Sequence, residues 1–155
     1  SPDPEGEASS MAIRLAMEEA GVTGDQIDYI NAHGTSTGLN DKYETNAVKI
    51  ALGEDAARKV VINSTKSMIG HLLGAAGGVE AIVTALSIKN DLVHKTTNYN
   101  TPDPECDLDY AVDGNRNMTV NAALSNSLWS SNATFLMISG TNAPLTVNRR
   151  IPLIS

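Results

Sequence analysis

Apolar residues recur along this chain in two rhythms. Ala12, Ile13, Ala16, Met17 and Ala20 fall three and four apart, which predicts a helix capped by Ser9 or Ser10 and stopped by Gly21. The eight residues before it, rich in Pro, Asp and Glu, read as a loop. Thr23 and Gln26 have capping-box spacing and predict one short turn. Residues 27–32 and 59–63 are short apolar runs, the pattern of buried strands. Between them, Tyr43, Ala47, Ile50 and Ala51 suggest a helix capped by Thr37 or Asn40, with Asp41 in its first turn and Gly53 at its end. A third helix is expected over residues 72–89. It is apolar nearly all round and should be central. Beyond a polar stretch broken by Pro102 and Pro104, residues 108–112, 118–125 and 132–138 read as strands. No regular element is expected in residues 139–155. Helices alternating with strands imply an α/β domain whose last three strands complete the sheet in antiparallel or mixed fashion.

Composition narrows the function. A chain of 155 residues is one domain or a piece of a larger one. It is 41% hydrophobic and 19% charged, enough for a core and unlike a disordered chain. The net charge of −7 argues against nucleic acid and against anionic membrane surfaces. Residues 68–88 are apolar enough to resemble a membrane span, but they contain His71, Glu80 and four glycines, and a carboxylate at mid-bilayer is costly. The single cysteine rules out an intrachain disulfide and a Cys₄ or Cys₂His₂ zinc site.

Two strand-to-loop junctions hold the candidate chemistry: Asn31-Ala32-His33-Gly34-Thr35-Ser36-Thr37 and Asn63-Ser64-Thr65-Lys66-Ser67-Met68-Ile69-Gly70-His71. Ligand sites in α/β sheets gather beyond the carboxyl ends of strands, so neighbouring strands would bring both loops to one pocket. A single histidine at a strand end is more often structural than catalytic, and a single lysine is usually a solvated charge. Here two histidines and a lysine converge among small hydroxyl and glycine residues. Neutral imidazoles so placed can donate hydrogen bonds to a developing oxyanion, and a nearby ammonium holds an imidazole neutral by like-charge repulsion.

At these motifs the chain resembles the C-terminal half of the β-ketoacyl-acyl-carrier-protein synthases, of the type II elongating kind in fatty-acid synthesis. The resemblance rests on NAHGTST followed by NDKYE, and on NSTKSMIGHLLGAAGGVEA, with support from DPECDLDY and AALSNS. It implies a thiolase-like fold, two α/β halves in an αβαβα layering, with residues 1–138 forming the C-terminal domain and 139–155 a tail. The implied activity is a decarboxylative Claisen condensation. In the family a cysteine carries the acyl chain as a thioester, and malonyl-carrier protein loses CO₂ to give the attacking carbanion. By resemblance His33 and His71 serve the malonyl step, Lys66 is the lysine of the site with Glu80 as its partner, and Thr35 and Thr37 contact the pantetheine arm. Asn31, Glu80, Ser125 and Asn126 support the site, and a monovalent cation near Asn31, Glu80 and Asn126 is a further implication. No cofactor is implied, because the substrates travel on the phosphopantetheine of acyl-carrier protein, the expected partner. The whole enzyme would be a homodimer in bacterial cytoplasm or an organelle stroma or matrix, binding neither nucleic acid nor membrane.

The chain departs from the family in two ways. No residue matches the nucleophilic cysteine, which the family carries in its N-terminal half. Cys106 lies in an acidic, Pro-broken loop, where neighbouring carboxylates raise a thiol pKa, and reads as non-catalytic. A parent polypeptide two to three times this length, bearing the reactive cysteine, is therefore expected. The family's Gly-Phe-Gly-Gly loop is replaced by Leu128-Trp129-Ser130-Ser131, which lacks glycine. That loss favours an alternative reading, a chain-length-factor-like or degenerate acyl-binding partner of a ketosynthase. His94, outside both motifs, is expected to tolerate Ala.

Overall fold

The computed structural model describes residues 6–127, 133–138 and 146–150. Helix α1 (Glu7–Ala20) leads through a 3₁₀ turn at Gly24–Gln26 into strand β1 (Tyr29–Asn31). Helices α2 (Asn40–Leu52) and α3 (Glu54–Ala57) precede β2 (Val61–Asn63). The one-turn helix α4 (Lys66–Ile69) and a second 3₁₀ turn at Leu73–Ala75 lead into α5 (Ala76–Asn90). Strands β3 (Leu92–Val93) and β4 (Arg116–Asn117) pair as a small antiparallel ribbon. The chain continues in β5 (Ala122–Ser127), β6 (Ala133–Ile138) and β7 (Thr146–Arg150).

The main sheet has the order β2-β1-β5-β6-β7. Strand β1 runs parallel to both β2 and β5, while β6 and β7 continue antiparallel, so the sheet is mixed as expected. Alternation along each parallel strand feeds two cores. Ile30, Ile62 and Leu124 face Ile13 and Met17 of α1 and Val48 and Leu52 of α2. Tyr29, Val61 and Ala123 face the other way, toward Ile88 of α5, Val93 and Val120. Burial on both faces explains why these strands read as unbroken apolar runs, and each buried Ile or Leu contributes about 1.5–3 kcal/mol.

Several local expectations are corrected. Helix α1 starts at Glu7 behind Gly6, and the Ser10 hydroxyl donates back to the Glu7 carbonyl at 2.8 Å instead of capping. No side chain caps α2, whose buried face is Glu44, Thr45, Ala47, Val48 and Leu52, with Ile50 exposed. The capping box of Thr23 and Gln26 forms as expected. Residues 108–112 are not a strand; Asp109 makes one isolated bridge to Val61. Its carboxylate is held by Arg116, which favours a loop over a ladder. The run expected at 118–125 becomes β5 four residues later, and residues 139–155, expected to be irregular, include β7.

The largest correction concerns the third helix. It starts at Ala76, not residue 72, and it is not buried all round. Toward the sheet it presents Ala76, Glu80, Thr84, Ser87 and Ile88. Its other face leaves Ile82 61% and Leu86 49% exposed, and Met68, Ile69, Leu72 and Leu73, ahead of the helix, are exposed as well. The helix is apolar on two sides because only one of them meets this chain's own sheet. No helix among the described residues is long and apolar enough to cross a membrane. Exposed apolar surface of this kind drives association. The isolated chain should therefore show concentration-dependent self-association in sedimentation, and Ile82→Lys with Leu86→Lys should suppress it. A monodisperse wild-type monomer would contradict this.

Candidate functional site

The parallel register sets Asn31 and Asn63, at the ends of β1 and β2, side by side with Ser125 of β5. The two motif loops leave from the first two of these. They are stitched together at once: Asn31 Nδ2 donates to Thr65 Oγ1 at 2.8 Å, and the Thr65 backbone N–H donates to Asn31 Oδ1 at 3.2 Å. The Ser64 hydroxyl donates to the His33 carbonyl at 3.3 Å. Gly34 makes this approach possible. Its φ is +41°, and a Cβ there would lie 2.6 Å from Ser64 Cβ, so a larger residue would force the loops apart.

The rings of His33 and His71 meet edge to face, with centroids 5.7 Å apart and planes at 85°. Burial first, then the positive charge of Lys66 and the neighbouring His71, lower the His33 pKa to about 4. His33 is therefore neutral at physiological pH. His71 Nδ1 accepts the Leu73 backbone N–H at 3.0 Å, a contact made by the left-handed backbone of Leu73 (φ 50°). With Nδ1 accepting, the neutral ring of His71 carries its proton on Nε2 and can donate from there.

Lys66 on α4 and Glu80 on α5 form a buried ion pair, their side chains 6% and 2% exposed. The pair expected from the sequence is thus present. The second carboxylate oxygen of Glu80 accepts the Ser127 hydroxyl at 2.9 Å. Asn31 joins this cluster through the Glu80 carbonyl and Thr84 Oγ1, both at 3.3 Å from its Nδ2.

Glu44, quoted only within a motif at the sequence level, is the structural residue that reading missed. Its carboxylate accepts the backbone N–H of His33 at 2.8 Å and of Gly34 at 2.9 Å, and Asn126 Nδ2 at 3.2 Å. Burial pushes its pKa up, while the N–H groups of Gly34 and His33 oppose that shift. Its signal was positional: Glu44 lies four residues before Val48 and eight before Leu52, on the stripe that α2 buries.

Thr35 and Thr37 share a hydroxyl contact of 3.1 Å and line a cleft of about 770 Å³, into which Lys66 and His71 also open. Cys106 lines this cleft too. Its thiol pKa is raised by burial first, then by Asp103 and Glu105 of the acidic loop noted in the sequence and by Asp41 of α2. The three residues expected around a cation are divided between the two faces of the sheet. Asn31 and Glu80 lie on the α5 side of the sheet, whereas the Asn126 side chain turns to Glu44 on the α2 side. Both Glu80 oxygens are engaged, and Ser125 Oγ and Asn126 Oδ1 are buried with no hydrogen-bond partner among the described residues. Leu128-Trp129-Ser130-Ser131 lies outside the described residues.

A mixed α/β sheet thus carries two histidines and a buried Lys–Glu pair near the carboxyl ends of its parallel strands. Residues 1–100 match the model of the beta-ketoacyl synthase C-terminal domain, and the chain belongs to that family. It is 50% identical over 127 residues to 3-oxoacyl-acyl-carrier-protein synthase 2 of Staphylococcus aureus, a match covering 82% of this chain and 30% of that protein. The chain therefore spans about a third of the length of such relatives. A solved type II PKS acyl-carrier protein in complex with its ketosynthase bound to the hexaketide is similar at 39% identity and TM-score 0.84, over 89% of this chain and 34% of that one. The ishigamide ketosynthase/chain length factor follows at 33% identity and TM-score 0.82, over 88% and 34%.

The lowered pKa of His33 has a stability consequence of defined sign. Below its ordinary value of 6.5 the unfolded chain takes up a proton that the folded ring refuses until pH falls to about 4. Stability should fall as pH drops through that window, and His33→Asn should lose this component of the fall. Urea midpoints between pH 7 and 4 measure it. Identical pH slopes in the two proteins would contradict the environment described for His33.

Proposed function

We propose that this chain supplies the decarboxylating half of a fatty-acid-type ketosynthase site, acting on malonyl-acyl-carrier protein, with the nucleophilic cysteine provided by the rest of the enzyme. The His33–His71 pair carries this reading: two imidazoles in contact, one held neutral by burial and by Lys66. The malonyl thioester loses CO₂ when its carboxylate carbon parts from the α-carbon. The bonding electrons then pass into an enolate whose oxygen needs N–H donors. Two neutral imidazoles supply them without moving a full charge. The α-carbon next attacks the acyl thioester, and the cysteine thiolate leaves.

The supporting residues follow from this. Burial keeps His33 neutral with help from Lys66, and Glu80 balances Lys66 where neither is solvated. Thr35 and Thr37, which line the cleft, contact the phosphopantetheine arm of the carrier protein in this reading, and the reaction takes no separate cofactor. The whole enzyme is a homodimer of the cytoplasm or an organelle stroma. A chain-length-factor-like partner is the second reading, favoured by the similarity to a ketosynthase/chain length factor structure. The histidine pair and the buried Lys–Glu pair favour the condensing role.

In the full-length enzyme, His33→Ala and His71→Ala should each lower CO₂ release from radiolabelled malonyl-carrier protein by about 10²–10³. Acyl transfer to the cysteine should suffer less. Lys66→Ala should also be damaging, because it strands the Glu80 carboxylate. Near wild-type CO₂ release from both histidine variants would overturn the assignment. Absence of both acyl transfer and CO₂ release in the wild type would support the chain-length-factor-like reading.

A further inference from the structure

His94 lies outside both motifs in sequence, yet the fold brings it to the same strand ends. The segment after β3 passes over the carboxyl ends of β1 and β2. There the His94 carbonyl accepts Asn63 Nδ2 at 2.6 Å, and Asn63 Oδ1 in turn accepts the buried Tyr29 hydroxyl at 2.7 Å. The ring is held at both nitrogens. Nδ1 lies 2.8 Å from the Lys95 carbonyl and Nε2 lies 3.2 Å from Thr65 Oγ1.

These contacts fix the direction of every hydrogen bond in the chain. A carbonyl oxygen only accepts, so Nδ1 carries the proton and Nε2 of the neutral ring is an acceptor. The Thr65 hydroxyl therefore donates to His94 Nε2, which leaves its lone pairs for Asn31 Nδ2 at 2.8 Å. Asn31 precedes His33 by two residues, and Thr65 immediately precedes Lys66. An acceptor at His94 thus orients the hydroxyl that ties the two catalytic loops together. A side chain without an acceptor there leaves the hydroxyl free to turn and compete with the amide of Asn31.

We propose that His94 is a positioning residue of the condensing site, its Nδ1–H imidazole accepting from Thr65 and so holding the His33 and Lys66 loops in register. The proposal rests on the function proposed above and reverses the expectation that His94 tolerates Ala.

The test uses the full-length ketosynthase carrying this chain, with radiolabelled malonyl-carrier protein as the probe. His94→Ala should lower kcat for CO₂ release about tenfold, the effect of one lost hydrogen bond felt in the transition state, with KM changed less than twofold. His94→Gln, whose Oε1 can reach the position of Nε2, should recover most of that loss. Thr65→Val, which also removes the acceptor of Asn31, should cost at least as much as His94→Ala, and the double variant should be no worse than Thr65→Val alone. Near wild-type rates in His94→Ala would overturn the proposal. So would equal damage by Ala and Gln, or losses that multiply in the double variant. His33→Ala run in parallel separates the two ideas: if it leaves CO₂ release intact, the proposed function fails, whatever His94 does. Nitrogen-15 shifts of the labelled protein test the geometry independently of activity. They should show His94 as the Nδ1–H tautomer, and the Nε2–H form would contradict the proposal.

Discussion

The whole arrangement depends on one register constraint: β1, β2 and β5 run parallel, with Asn31 and Asn63 at the ends of β1 and β2 level with Ser125 of β5. Parallel pairing points three chain exits in one direction, so both motif loops start as neighbours and need only short hydrogen bonds to stay so. Asn31 and Thr65 make those bonds in both directions. A slip of one residue would turn each side chain to the opposite face, putting Asn31 among the apolar residues of α1 and α2. The two cores oppose such a slip, because Ile30, Ile62 and Leu124 on one side alternate with Tyr29, Val61 and Ala123 on the other.

On this frame the charges are arranged so that His33 stays neutral while the site remains polar. Lys66 and Glu80 are nearly out of solvent, where either alone would be costly, and each offsets the other. The ammonium also opposes protonation of His33, with burial the larger cause. A different carboxylate, Glu44, serves the backbone: it collects the N–H groups of His33 and Gly34, which the tight loop leaves without secondary-structure partners. One buried carboxylate thus balances charge, and the other shapes the turn that presents His33.

Much of this was legible in the sequence because the informative residues are local. The strand ends and the two loops holding His33, Lys66 and His71 follow from short apolar runs and local motifs, while the Lys66–Glu80 pair was implied by the family resemblance of those motifs. Glu44 was harder to see, since its role depends on which stripe of α2 meets the sheet. Tyr43, Ala47, Ile50 and Ala51 suggested a neighbouring stripe, while the fold chose the one through Val48 and Leu52. Helix α5 misled for a related reason: its composition is apolar on two sides, and only packing shows that Ile82 and Leu86 face away from this sheet. His94 carried no local signal, because its partners Asn63 and Thr65 lie about thirty residues earlier and meet it only through topology.

The central claim is that His33 and His71 act together on one developing oxygen, and a double-variant cycle on CO₂ release tests it most directly. If both rings donate to the same enolate, removing the second from an enzyme already lacking the first should cost little more. The His33→Ala/His71→Ala double should then release CO₂ at about the rate of the slower single variant, the non-additivity expected of residues that act as a unit. Losses that multiply fully in the double variant would show that the rings work on separate steps, and would contradict the account.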